Sequence, residues 1–377
     1  RNTGPYDGRP PCGGGYCGMK QRFIRIVASV AAVLLLAVGL IWLCHADPIE
    51  AFGYFCYGLF GSLNGFAEIF VKATPLILMG LGVSISFQTG FFNIGAEGQF
   101  YMGALMATFV ALKLPGSPWF RCILAIFVAF IFGGVWAFIP AFLKNRLGIS
   151  ETVNTIMFNY IATMFVGIAI RGVLMDSADY LPQSAKTDCN LPLLLLPTRL
   201  HLGFFIAVVI ALLIWFVMYK TTLGYELKVS GSNPRGAFCV GIPVQKSLLT
   251  AAILSGGLSG IAGSVELLGV QHRLMENLSA GNGFTAILIA LLAKNHPLGV
   301  ILVSILYAAL QVGANTMQRQ MGIPSSIVSI LIGFIVFLIL SKDFWELCTR
   351  AKKKYVASDR ARRPNVPRHI LFHIERK

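Results

Sequence analysis

Long apolar runs, separated by short polar stretches, recur from residue 23 to residue 340 of this 377-residue chain. A helix needs about 20 apolar residues to cross the hydrocarbon core of a bilayer. Residues 23–44 meet that length and end at His45-Ala46-Asp47-Pro48. Further apolar segments are 74–89, 100–114, 119–143, 152–174, 202–219, 247–268, 284–293, 298–317 and 325–340. Residues 50–70, aromatic and Gly-rich with Glu50, Asn64 and Glu68, read as interfacial. Segment 74–89 is short, and 284–293 is too short to cross alone at 1.5 Å per residue. The expected fold class is an all-α polytopic membrane protein with about ten transmembrane or half-membrane helices, some of them broken.

Composition agrees. Hydrophobic residues make up 56% and charged residues 12%, whereas soluble domains carry about 25% charged residues. A soluble globular enzyme, a disordered chain and a disulfide-stapled module are excluded. The eight cysteines show no zinc-site spacing and no clustered loop framework, so they read as unpaired thiols. Residues 1–18 lack an initiating Met, and Met19 precedes Lys20-Gln21-Arg22 and the first apolar run. This leader is set aside as an expected artefact, leaving a permeation domain over 19–341 and a basic tail over 342–377.

The net charge of +15 lies mostly at the ends: residues 1–25 carry +4 and residues 342–377 carry +7. Lys144 and Arg146 fall in one loop, and Lys220, Lys228, Arg235 and Lys246 in another two spans later. With ten segments these basic regions share one face, while Asp176, Asp179, Asp188 and Glu276 fall on the other. The positive-inside rule then places both termini in the cytoplasm. The excess charge orients the chain, with the tail near anionic lipid, and does not indicate nucleic acid.

Two polar interruptions stand out: Asn93-Ile94-Gly95-Ala96-Glu97-Gly98-Gln99, and Gly281-Asn282-Gly283-Phe284 with the later Lys294-Asn295-His296-Pro297. Non-helical backbone at membrane depth must be buried in protein or line water, and broken helices in a transporter point to its path. Glu97 and Glu266 are carboxylates beside apolar runs, where an unpaired charge is costly. The plainer alternative for each is helix capping or packing. Glu151, Asn154 and Thr155 share one helical face, with Ser150 placed to cap that helix. Interhelical hydrogen bonding competes there with solute contact. The string Leu254-Ser255-Gly256-Gly257 resembles an ATPase signature, but no GxxxxGK[ST] loop exists in the chain. Small residues from Ser255 to Ser264 instead form faces for close helix packing. The loop 220–246 holds a short helical pattern from Pro234 to Val240, read either as a handle for a soluble partner or as an ordinary ordered loop.

Five segments in order, FFNIGAEGQFYMGAL, ETVNTIMFNYIA, GYELKVSGSNPRGAFCVGI, SGGLSGIAGSVELLG and GNGFTAILIALLAKNHPLGVI, resemble permease subunits of bacterial ABC importers. These relate to ribose and branched-chain amino-acid permeases, most closely the nucleoside branch linked to basic membrane lipoproteins. The resemblance spans about residues 50–340. It implies a multi-pass subunit of the bacterial cytoplasmic membrane, without catalytic residue, metal or cofactor. Its implied partners are a second permease in a heterodimer, a cytoplasmic ATP-binding cassette ATPase and an extracytoplasmic solute-binding lipoprotein. The implied cargo is a nucleoside or related sugar.

The resemblance carries an ATPase-coupling role onto Gly224, Tyr225, Glu226, Lys228, Asn233, Pro234, Ala237 and Gly241. Lys228 stands where Arg is more usual, and Gly236 replaces one Ala of a pair, which is expected to loosen the coupling helix. Candidate path residues are Asn93, Glu97, Gln99, Asn154, Asn159, Glu266, Asn282 and Phe284, with Phe91 and Phe92 available to stack on a base. The rival expectation is an ion-coupled secondary transporter or channel using Glu97 or Glu266.

Overall fold

The computed structural model describes residues 47–176 and 181–322, with isolated positions at 35–42 and 330–334. The expected spans over 23–44 and 325–340, the leader and the basic tail lie outside these two stretches. Ala46–Ser325 form one compact body that contains both. Among the described residues the regular elements are helices, joined by loops with three isolated bridges.

Helix α1 (Pro48–Phe60) starts on a capped proline: Asp47 accepts from the Ile49 N–H at 2.8 Å. Helix α2 (Leu63–Gln88) begins where the Ser62 hydroxyl accepts from Gly65 N–H. Residues 50–70 are therefore not one interfacial stretch. They divide into α1 and the first turns of a 26-residue helix. Glu68 and Lys72 hid this continuity by interrupting the apolar run. They are tolerated because they line a polar cavity near the start of α2. Pro75 lies inside α2 and costs a backbone bond, yet the helix persists because it is buried on all sides from Ala73 to Ser86.

Helix α3 (Ala96–Lys113) starts four residues before the apolar run, so Glu97 and Gln99 are helical and not part of a loop. Helix α4 (Pro118–Leu147) ends at Gly148 in the left-handed region, φ +67°. Helix α5 (Glu151–Arg171) follows without the expected side-chain cap: the Ser150 hydroxyl makes no cap bond, and only its carbonyl accepts, from Asn154 N–H. Helix α6 (Gly203–Lys220) leads into α7 (Thr222–Ser232) and α8 (Pro234–Cys239). The loop 220–246 thus holds the expected short helix and one further helix, capped by Thr221. Helix α9 (Val244–Glu266) runs into a π-helical turn, Leu267–Gln271. Helices α10 (Asn282–Leu292) and α11 (Pro297–Met321) complete the body.

Among the described residues, α2, α4, α5, α6, α9 with its π turn, and α11 are long and apolar enough to cross a membrane. Helix α10 has 11 residues, too few to cross. Helix α9 is the axis, packed on α2, α3 and α4. Its small residues permit this. A Cβ on Gly260 would lie 3.0 Å from the Ala129 carbonyl carbon and 3.2 Å from Gly133 Cα on α4, and one on Gly263 would lie 3.0 Å from the Ala104 nitrogen on α3. Backbones in such contact gain dispersion that lipid cannot match. The Ser255–Ser264 stretch is buried packing surface, as its spacing predicts.

Candidate functional site

The first interruption comprises the end of the loop between α2 and α3 and the first turn of α3, and side-chain amides supply much of its hydrogen bonding. Asn93 is fully buried; its Nδ2 donates to Gln99 Oε1 (3.1 Å) and Ser255 Oγ (2.9 Å). Its Oδ1 accepts from Gly95 N–H (2.9 Å) and Gln99 Nε2 (3.0 Å). Asn159 on α5 donates to the Ile94 carbonyl (3.0 Å) and accepts from Gly98 N–H (2.8 Å), while the Thr155 hydroxyl accepts from Ile94 N–H. Backbone that leaves a helix away from water must find such partners. Asn93, Gln99 and Asn159 are brought together: Asn93 spends its full side-chain capacity on the protein, and Gln99 and Asn159 each donate one bond and accept one. Asn154 stands apart, half-buried, with its amide 3.5 Å from the Pro140 carbonyl.

The second interruption meets the first through Glu97. Its Oε2 accepts from the Ser279 hydroxyl (2.8 Å) and from Gly283 N–H (2.7 Å). Tyr101, one turn along α3, accepts from Ser279 N–H through its hydroxyl. Glu97 lies in the first turn of α3, and Gly283 in the first turn of α10. Two helix N-termini, each carrying roughly half a positive charge, therefore share one buried carboxylate. The turn before α10 is built for this approach: Asn277, Ala280 and Gly281 all have positive φ. Asn282 joins the turn through its N–H to the Ser279 carbonyl, and Phe284 is half-exposed. Glu266 lies elsewhere, at the C-terminal end of α9, with Glu68 and Lys72 as its charged neighbours. Of the stacking candidates, Phe92 is exposed and Phe91 is fully buried beneath the Lys144 ammonium.

Helices α7 and α8 gather the predicted coupling residues at the end of the bundle where the first loop lies. Gly224 is buried against α6, where a Cβ would come 2.5 Å from Met218 Cα. The Lys228 ammonium sits 3.3 Å from the Tyr219 ring centroid, an arrangement suited to a cation–π contact, and burial pushes its pKa down. Asn233 caps α8 by accepting from Gly236 N–H (3.0 Å), with Pro234 in the first position. A Cβ at Gly236 would approach the Asn233 amide to 2.9 Å, so glycine leaves that cap uncrowded. Ala237 is fully buried, and Gly241 turns the chain at φ +84°. Tyr225, Phe238 and Val240 point outward, and Glu226 is half-buried.

Contacts that sequence reading missed join this loop to both interruptions. Gly231 on α7 lies against Gln88 and Thr89 at the end of α2; a Cβ there would meet the Thr89 carbonyl carbon at 2.7 Å. Gln88 Nε2 donates to the carbonyl of Asn295, in the turn between α10 and α11. Tyr219 and His296 bring their rings to 5.2 Å. Lys144 on α4 donates to the Gly90 carbonyl and pairs with Glu151 at 2.7 Å. Gln88 lies outside the quoted segments, and the motifs that hold Gly231 and Asn295 do not show that those two meet it, so only proximity reveals the contact. At the opposite end, a cavity of about 530 Å³ lies between α5 and the turn before α10. Tyr101 forms part of its wall, and an Arg171–Glu276 ion pair (2.6 Å) lies at its edge.

The family described as "branched-chain amino acid transport system / permease component" matches residues 65–340. The chain is 35% identical over 331 residues to the guanosine ABC transporter permease protein NupP of Bacillus subtilis, covering 86% of this chain and 95% of that protein. It is 31% identical to the glucose ABC transporter permease protein TsgB13 of Haloferax volcanii, covering 85% and 87%. It is 30% identical to the nucleoside ABC transporter permease protein NupB of Lactococcus lactis, covering 88% and 92%. No solved structure matches. A bundle of apolar helices with two breaks, matched over most of its length, is thus a transport subunit: the chain belongs to the permease-component family of branched-chain amino acid transport systems.

Proposed function

We propose that this ABC permease carries a nucleoside or a related sugar across the bacterial cytoplasmic membrane, paired with a second, non-identical permease. A separate ATPase would dock on α7 and α8, and an extracytoplasmic lipoprotein would deliver the solute. The names of the guanosine, nucleoside and glucose permeases support the solute class. The single observation that carries the mechanism is the seat of Gly231 on Gln88 and Thr89. A push on the exposed Phe238 and Val240 reaches the first break through α7 without crossing a flexible linker. Rocking of this kind is how rigid elements change access to a path.

In this reading both termini are cytoplasmic and the chain has ten full or half spans. Support comes from Lys144, Lys228 and Arg235 gathering at the α7–α8 end, while at the other end Asp176 and Glu276 are paired with Arg273 and Arg171. The solute path runs beside the joined breaks. Asn93, Gln99 and Asn159 fix its wall, Glu97 holds α10, and Asn282, Phe284 and Phe92 face the solute. The exposed apolar side of α5, with Met157, Tyr160 and Met164, is available to the second permease.

The test is uptake into proteoliposomes holding both permeases, the ATPase and the lipoprotein, with guanosine, ribose and glucose offered separately. ATP-dependent guanosine uptake is expected. Glucose uptake without guanosine uptake would overturn the nucleoside assignment. Uptake by the permeases on an ion gradient alone would overturn the importer mechanism.

A further inference from the structure

A second cavity, of about 460 Å³, lies at the end of the bundle away from α7 and α8. It is framed by α1, the start of α2, the end of α11 and the loop before α6. Lys72, Arg199 and Arg319 line it, against one acidic residue, Glu68. Glu266 lies within electrostatic range of Lys72. Among the described residues, neither Arg199 nor Arg319 has a carboxylate within ion-pair distance. Arg319 spends only its Nε, on the Asn315 carbonyl at 3.2 Å. Two guanidinium groups thus face one polar cavity with most of their donors unused.

The surroundings of the cavity are apolar. Phe60, Leu63 and Phe66, on α1 and α2 beside it, are 76%, 55% and 45% exposed. Arg199 belongs to a hairpin whose tip, Leu193–Leu196, exposes four consecutive leucines. That hairpin satisfies backbone groups internally: Leu194 N–H bonds the Leu200 carbonyl, Thr198 N–H that of Leu195, and Leu202 N–H that of Pro192. Internal pairing is what entry into lipid demands, and exposed leucine clusters are costly in water.

We propose that the cavity binds the phosphate of an anionic phospholipid through Arg199 and Arg319, with its acyl chains against Phe60, Leu63 and Phe66 and the leucine tip in the same leaflet. Guanidinium groups suit phosphate through paired N–H donors. A free phosphate would use the same donors but make no contact with the apolar rim. An acidic protein partner would likewise satisfy the arginines without using that rim.

The full-length permease, purified in detergent and titrated with long-chain phosphatidylglycerol or phosphatidylcholine, tests this by native mass spectrometry. Preferential retention of phosphatidylglycerol is expected. Arg199→Gln with Arg319→Gln, both at exposed positions, should lower that retention at least about tenfold, the equivalent of one charge-assisted bond. Leu195→Asn with Leu196→Asn should weaken long-chain phosphatidylglycerol while sparing a soluble dihexanoyl analogue. Equal retention of the two long-chain lipids, or no effect of the arginine pair, would overturn the proposal. Displacement by millimolar inorganic phosphate would assign the site to a free anion. Loss of lipoprotein association in the arginine variant with lipid retention unchanged would assign it to a protein partner.

Discussion

Replacing Glu97 separates a structural carboxylate from a proton-carrying one. Its Oε2 holds Ser279 and Gly283 at 2.8 and 2.7 Å, and the side chain is 7% exposed. Each hydrogen bond to a charged group contributes about 1.5–3 kcal/mol. Glu97→Ala removes both and leaves the Gly283 N–H buried without a partner, so the start of α10 should lose about 3–6 kcal/mol of local stability. Glu97→Gln keeps an oxygen that can accept both bonds and loses only the charge assistance, about half of that sum. Hydrogen exchange over residues 279–285 reads the difference directly, because 1.4 kcal/mol is about a tenfold change in local opening. Exchange there should accelerate at least about 100-fold in the alanine variant and markedly less in the glutamine variant. ATP-driven uptake should follow the same order, with glutamine retaining transport. Loss of uptake in the glutamine variant, with exchange protection equal to that of the parent protein, would overturn this structural role. The carboxylate would then act by titration and not by holding α10.

Gly231→Val should disrupt the seat of α7 on Thr89, lowering coupled uptake strongly while membrane insertion, checked by fractionation, stays normal; normal uptake would remove this contact from the coupling route. Gly260→Val forces a side chain between α9 and α4, where a Cβ already meets Ala129 at 3.0 Å. It should cost about 1–3 kcal/mol or more, visible as a lower melting temperature in detergent. His201 is 1% exposed, with Nε2 buried and unpartnered. Burial and the nearby His272 depress its pKa from 6.5 to about 4. The neutral form is therefore favoured by folding, and that stability is present above pH 6.5 and lost as pH falls toward 4. The loss should amount to about 3 kcal/mol at 1.36 kcal/mol per unit. Thermal unfolding across that range should show the slope in the parent and a much smaller one in His201→Asn.

The class of this protein and the position of its breaks are legible in the order of its amino acids. Apolar runs near bilayer length admit helices and little else, and Asn93–Gln99 and Gly281–Phe284 announce themselves because polar residues and glycines interrupt those runs. The small residues of α9 were legible too, since their spacing places them on helix faces whatever the partner. The short α8 was legible from Asn233-Pro234, a local cap signal. Local pattern failed where tertiary burial overrode it: α2 continues through Glu68, Lys72 and Pro75 because a polar cavity and all-round packing compensate for them. Ser150 failed as a cap for a related reason, since cap geometry depends on backbone angles that residue type does not specify. What the polar groups in the breaks do depends on packing between segments distant in the chain. The amides of Asn93 and Asn159 are equally suited to a solute and to a bare backbone. Glu97 is equally suited to a proton and to a helix N-terminus. Ser279 and Gly283 lie more than 180 residues away in the chain, and folding alone places their donors on that carboxylate.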